Sequence, residues 1–290
     1  MILSSPTKTL LSVREVTQQD QRELASLFHF ESYVHRHLDW RGPLDWIGYQ
    51  PFLAAVQNDT LMGALACPED IPGAAWIQVF AAKSRFSLEK VWNTLWRETR
   101  EFYQRRSHVI MAVIPNQPWF SRLLLNSQFR HTHSVVVLVW ENSHNPPVSG
   151  DSGMTIREMQ PDDLEAVHKV DLASFDPLWQ QSPDSLKIAL QQACFATVSE
   201  IDGQIIGYQI STGGHLGGHL ARLAVHPAFR GEHIGQTLVQ DMLDKFRARG
   251  TLRITVNTQQ DNSVSLKLYE KTGFRKTGET FQVFTLSLGF

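Results

Sequence analysis

The segment Arg222-Leu-Ala-Val-His-Pro-Ala-Phe-Arg-Gly-Glu-His-Ile-Gly235 restricts the fold more than any other stretch of this 290-residue chain. The apolar residues Leu220, Leu223 and Val225 read as a strand that stops at Pro227. An Arg-Gly loop follows, and Gly235 opens an amphipathic helical pattern, Leu238, Val239, Met242, Leu243 and Phe246. A strand, a tight loop and a helix N-terminus together make an anion site, because unpaired N–H groups and the positive end of the helix dipole converge there. Gly231 and Gly235 carry no side chain, which predicts a backbone that an anion can approach closely.

A second block follows at the spacing of one helix. Leu252-Arg-Ile-Thr-Val-Asn257 alternates as a strand does, and Asp261 to Phe274 reads as a helix. Asn262 is placed to cap that helix, Leu266 and Tyr269 share one face, and Gly273 suits a left-handed end.

In these two blocks the chain resembles the GNAT family of acetyl-CoA-dependent N-acetyltransferases. The family signature of Arg or Gln, two residues, Gly, one residue and Gly or Ala stands here as Arg230-Gly-Glu-His-Ile-Gly235. His233 takes a slot usually held by Gly; His accepts a left-handed backbone better than most residues, and its amide can still donate.

The resemblance implies acetyl transfer to a primary amine of a small molecule or peptide by direct attack on the thioester, with acetyl-CoA as co-substrate and no metal. It implies that the backbone of Leu223, Ala224 and Val225 pairs with the pantetheine arm. Arg230, Gly231, Glu232, His233, Ile234, Gly235 and Gln236 would surround the pyrophosphate, with Asn262 and Tyr269 also beside the cofactor. Tyr269 matches the general acid that protonates the departing thiolate; packing beside the thioester is its plainer role. The carboxylate base that many relatives carry near Ala221 is missing. His219, or His215 through a water, is the substitute candidate, against a flexible Gly213–His219 turn with exposed histidines. A non-catalytic acyl-CoA-binding or regulatory module of the same fold is the alternative.

The first half reads as a worn copy of the second. Val13–Asp20 aligns with Ile156–Asp163, and Phe52–Val56 with Leu61–Gly63 aligns with Phe195–Val198 and Ile205–Gly207. His108–Ile114 parallels the strand ending at Asn257, and Leu123–Phe129 parallels Leu266–Phe274. The final strands are Ser134–Trp140 and Phe281–Leu288. The expected fold is therefore α+β: two tandem GNAT domains, each a mixed, mostly antiparallel sheet flanked by helices. The expected division is a degenerate domain over 1–141, a Pro/Gly/Ser-rich linker over 142–153 and a catalytic domain over 154–290.

The counterpart of the glycine loop, Phe80-Ala-Ala-Lys-Ser-Arg-Phe-Ser87, contains no glycine. Either Lys83 and Arg85 clamp a second cofactor or the first half has lost that site. Trp92 and Trp96, four apart on a helix, read as packing; Trp40 and Trp46 flank a turn where a substrate contact is conceivable. His35, His37 and Asp39 have metal-ligand spacing, but a solvated polar segment explains them without a second ligand pair.

A formal net charge of −2 gives no basic face for nucleic acid, and no apolar run reaches the ~20 residues of a membrane span. Met1-Ile-Leu-Ser-Ser-Pro lacks the features of a secretory signal, and Cys67 and Cys194 suit a reducing interior. These point to a cytoplasmic protein, monomer or homodimer, with no nucleic-acid or membrane partner.

Overall fold

Apolar runs too continuous to face water on one side, Phe52–Val56 and Leu61–Ala66, become central strands covered on both faces. The computed structural model describes residues 11–105, 108–141, 154–214 and 216–289. The linker expected at 142–153 and the candidate base His215 lie outside the described residues.

In chain order the elements are β1 (Ser12–Glu15), α1 (Gln21–Phe30), β2 (Tyr33–Arg36), β3 (Phe52–Gln57), β4 (Thr60–Ala66), β5 (Ala74–Trp76) and β6 (Val79–Ala82). Next come α2 (Leu88–Gln104), β7 (Val109–Val113), α3 (Pro118–Asn126) and β8 (Arg130–Trp140). The second half contains β9 (Thr155–Glu158), α4 (Leu164–Ser174), α5 (Pro183–Gln192), β10 (Phe195–Ile201), β11 (Gln204–Gly214) and β12 (Gly217–Val225). It ends with α6 (Ile234–Ala248), β13 (Ile254–Gln259), α7 (Ser263–Lys271) and β14 (Arg275–Leu288).

Two compact units form, and neither follows the expected 1–141 and 154–290 division: one is Met1–Arg130 with Phe284–Phe290, the other His131–Val283. Each takes strand material from the far half of the sequence. In the first unit Phe284–Leu288 of β14 pair antiparallel with β7; in the second, β8 pairs antiparallel with β13.

The first unit holds an antiparallel sheet in the order β1-β3-β4-β6-β2. One face packs Leu53, Ala55 and Leu65 against Trp92 and Leu95 of α2; the other packs Phe52, Ala54 and Ala64 against Leu24 and Leu27 of α1. Trp92 and Trp96 stack at 5.5 Å inside this core, as their spacing suggested. Trp46 is also core, 1% exposed, so it is no substrate contact. His35 is likewise buried in β2, so that segment is not the solvated one its composition suggested. The second unit orders its strands β14-β8-β13-β12-β11-β10-β9, antiparallel from β9 to β12 and parallel between β12 and β13.

The repeat is written in side chains as well as in element order. Arg14 forks onto Asp20 at 2.6 and 2.7 Å, and Arg157 forks onto Asp163 at 2.7 and 2.9 Å. Both carboxylates also accept a backbone N–H at the start of a turn, from Thr17 and Gln160. Gly63 and Gly207 hold matching places under a crossing helix. A Cβ would lie 2.4 Å from Val91 of α2 at Gly63, and 3.3 Å from Ile234 of α6 at Gly207. Only glycine lets the helix sit that low.

Candidate active site

β12 and β13 are paired over three residues only: Gly218 with Ile254, His219 with Thr255 and Leu220 with Val256. Beyond Leu220 both strands continue, to Val225 and Gln259, with no ladder between them. The cause lies in β12. Its register against β11 runs Leu220–Ser211 and then Arg222–Ile210, so Ala221 is an extra, bulged residue. A bulge bends its strand and leaves the extra residue out of the ladder. One edge of Leu223, Ala224 and Val225 is used by β11; their other edge faces the gap that opens there.

The bulge also re-aims side chains. Leu220 packs against Val239, Met242 and Phe246 of α6, whereas Arg222, which a regular strand would put on the same face, reaches Asp171 of α4.

At the far end of β12 the chain makes a short turn over Pro227–Phe229 and passes Gly231 (φ +95°) and His233 (φ +60°) before α6. His233 thus takes the left-handed conformation that its place in the signature requires. The first helical bond runs from Thr237 N–H to the His233 carbonyl, so the amides of Ile234, Gly235 and Gln236 have no intrahelical acceptor. Gly231 is needed for its backbone angle, since a Cβ there meets nothing within 4 Å. Gly235 works differently from the sequence expectation. Its bare Cα faces Leu268 of α7, 3.2 Å from where a Cβ would sit, and so lets α6 pack closely. Arg230 donates to the Ser174 carbonyl at 3.3 Å, Glu232 is exposed, and Gln236 is buried.

Asn262 caps α7, accepting from Ser265 N–H at 3.0 Å. Tyr269, one helix face further on, is 5% exposed and its ring lies 5.7 Å from that of Phe274. Among the described residues its hydroxyl has no hydrogen-bond partner, and burial pushes its pKa well above the ordinary 10, so it keeps its proton. His219 lies where β12 and β13 still pair. The Thr255 hydroxyl donates to the Gly218 carbonyl at 3.4 Å, so its oxygen accepts from His219 Nδ1–H at 2.9 Å. That tautomer leaves Nε2 as a lone pair, and burial holds the imidazole pKa below its usual value.

A buried polar cluster stands beside these groups, and no sequence signal announces it. Asp171 is fully buried; its Oδ2 accepts from Arg222 Nε at 2.8 Å, Arg222 Nη2 at 2.5 Å and the Tyr208 hydroxyl, and its Oδ1 from Gln181 N–H at 2.9 Å. Four donors converge on this carboxylate, three of them on Oδ2, so Asp171 is an anchor for Arg222 and Tyr208 rather than a free base.

Residues 164–274 match the family model described as the acetyltransferase (GNAT) family. This stretch is a GNAT domain. Solved structures resemble nearly the whole chain. A GCN5-related N-acetyltransferase from Sphaerobacter thermophilus is 16% identical, covers 96% of this chain and 95% of its own, and gives a TM-score of 0.60. A tandem GNAT protein from the clavulanic acid biosynthesis pathway is 14% identical over 96% of this chain and 98% of its own, with a TM-score of 0.62. A probable N-acyltransferase from Enterococcus faecalis V583, 10% identical, covers 96% of this chain and 72% of its own at a TM-score of 0.73. At these identities the likeness is one of fold: tandem GNAT architecture.

The first half treats the matching places differently from the GNAT domain. The edge of β6, counterpart of the open edge of β12, is paired antiparallel with β2 from Val79–Arg36 to Ala82–Tyr33. In the loop that corresponds to Arg230–Gly235, Ser84 donates its N–H and its hydroxyl to Glu31 at 2.7 and 2.8 Å. The Ser84 amide, with Lys83 and Arg85 nearby, holds the Glu31 carboxyl below the usual carboxylate range. Lys83 and Arg85 add their charge to this setting without a direct ion pair to Glu31 among the described residues. A cavity of about 320 Å³ remains, lined by β2 and the segment leading into α3. Among the described residues no group of three or more His, Cys, Asp or Glu could hold a metal, and no helix is long and apolar enough to cross a membrane.

Proposed function

We propose that the chain is an acetyl-CoA-dependent N-acetyltransferase with one active site, in the GNAT domain, and a first half that holds no cofactor. The observation that carries this is the gap between β12 and β13, opening at the Ala221 bulge and ending at the unpaired amides of α6.

Leu223, Ala224 and Val225 offer backbone donors and acceptors along the gap to the amides of a pantetheine arm. The amides of Ile234, Gly235 and Gln236 and the dipole of α6 suit a pyrophosphate. The co-substrate supplies an activated acetyl group as a thioester. The chain then has three tasks. It holds thioester and amine in line, which removes much of the barrier without a covalent enzyme intermediate. It presents a backbone N–H of the bulge to the thioester oxygen, where negative charge grows during attack. It moves two protons: His219 Nε2 takes one from the attacking amine, and Tyr269 gives one to the leaving sulfur. A phenol kept protonated by burial suits the second role, a neutral imidazole the first.

The absent carboxylate at Ala221 favours one other reading, an acyl-CoA-binding module without turnover. Incubation with acetyl-CoA and a panel of primary amines separates the two: free thiol released in step with acetylated amine supports the enzyme, whereas binding without release supports the module. Two unpaired cysteines agree with a cytoplasmic setting, and a fused pair of domains with a monomer or a homodimer.

A further inference from the structure

The guanidinium of Arg222 is held more firmly than a structural ion pair requires. Nε and Nη2 donate to Asp171, Nη2 also donates to the Trp179 carbonyl at 2.7 Å, and the guanidinium carbon sits over the Phe175 ring, 3.8 Å from its centroid. Burial keeps the neighbouring Tyr208 hydroxyl protonated, so it serves Asp171 as a donor and leaves the guanidinium charged. All of this engages one edge and one face. Among the described residues nothing accepts from Nη1, and the side chain keeps 12% of its exposure. Two N–H bonds of a fixed, charged fork are thus left over.

Their place gives them a use. His219 and Arg222 flank the bulged Ala221, and both lie on the sheet face opposite α6: His219 because it alternates with Leu220, Arg222 because the bulge turns it there. The N–H that would polarise the thioester, the base and the free fork edge therefore belong to four consecutive residues. Three positions apart on one face of β12, His219 and Arg222 suit a single small acceptor, with its amine at Nε2 and a second group at Nη1. A planar fork held in position matches a carboxylate and hydrogen-bonds it with charge assistance.

We infer that the acceptor is an amine that carries a carboxylate close to its nitrogen, as an amino acid does, and that Arg222 Nη1 binds this carboxylate. The inference rests on the acetyltransferase reading. Arg222 is a specificity determinant here, with Asp171, Phe175 and the Trp179 carbonyl positioning it. The cluster explains why a cation, rather than the carboxylate seen in many relatives, stands at this turn of β12: a carboxylate there would repel the acceptor.

The test compares matched acceptors on the whole protein: amino acids against their amides and against amines of the same chain without the acid. Wild-type protein should favour the acid by about tenfold or more in kcat/KM, mostly through KM, because a site built to bond a group rejects analogues lacking it. The double variant Asp171→Asn/Arg222→Gln, which removes both charges and leaves no buried ion unpaired, should lose that preference while its affinity for acetyl-CoA stays within about twofold of wild type. Equal kcat/KM for acid and amide in the wild type overturns the inference, as does a preference that survives in the double variant. A protein that binds no acetyl-CoA overturns the acetyltransferase reading and this inference with it.

Discussion

β12 and β6 are the same strand of the repeat, and they differ in who occupies their free edge. β12 leaves its edge open from Ala221 onward, with the unpaired amides of a fifteen-residue helix at its end. β6 is closed along its whole length by β2, and the loop after it gives an amide and a hydroxyl to Glu31. Glu31 and β2 are nearly continuous in sequence, so one short segment supplies both a carboxylate at the loop and a strand along the edge. An unpaired strand edge is costly to bury, and under the proposed reading, in which the first half holds no cofactor, β2 covers it instead. The lesson is that two copies of one fold can differ mainly in whether the chain itself fills the edge beside the shared strand.

The comparison is broken most directly by removing chemistry from one half. Tyr269→Phe should lower kcat by about a hundredfold or more while acetyl-CoA still binds, because only the proton to the leaving sulfur is lost. Steady-state rates with a calorimetric control read this, and an unchanged kcat reduces Tyr269 to packing.

The next effect is on pH dependence. Burial holds the His219 pKa below its usual value of 6.5, and in the proposed mechanism the neutral form is the base. The rate should therefore be flat through pH 7 and fall on the acid side only below 6.5. His219→Ala should remove that limb together with about ten- to a hundredfold of the rate. A limb that remains in the variant belongs to another group.

Stability tests the part the two halves share. Gly63→Ala should cost about 1–3 kcal/mol and more than Gly207→Ala. The added methyl meets Val91 at 2.4 Å and the Ala81 carbonyl at 2.7 Å in the first case, against 2.9 Å to Ser199 and 3.0 Å to the Ala224 carbonyl in the second. Denaturant unfolding of both variants gives the order, and a neutral Gly63→Ala would show that α2 sits higher than described.

The last expected effect is confined to acid pH and concerns β2. Its His35 is buried against Phe120, with a pKa pushed down to about 3, chiefly by burial. The unfolded chain takes up this proton near 6.5 and the folded one only near 3, so His35 costs stability progressively as pH falls through that window. His35→Gln should flatten the acid side of the stability profile; an unaltered profile would mean that His35 is not closed in.

The sequence made the second half legible because its signals are local. Arg230–Gly235 and Asn262–Gly273 place a loop, a cap and a helix end within a few residues, and the left-handed His233 and the Asn262 cap follow from residue type alone. What it hid is held together at long range. Asp171 and Arg222 are fifty-one residues apart, and Glu31 and Ser84 fifty-three, with no spacing rule to join them. Gly235 was misread in its detail, since nothing in sequence says that its bare Cα faces Leu268. The strand exchange was hidden for a similar reason. β8 and β14 are each the last strand of a half, and nothing local in either says which of β7 and β13 it pairs with.

Titration of acetyl-CoA into the whole protein, read for stoichiometry, tests the central claim most directly. The account predicts one site per chain, lost when Gly231→Val forbids the left-handed turn before α6 and kept when Glu31→Ala frees the Ser84 amide, because β2 still closes the edge of β6. Two sites per chain, or one site that survives Gly231→Val, would contradict it.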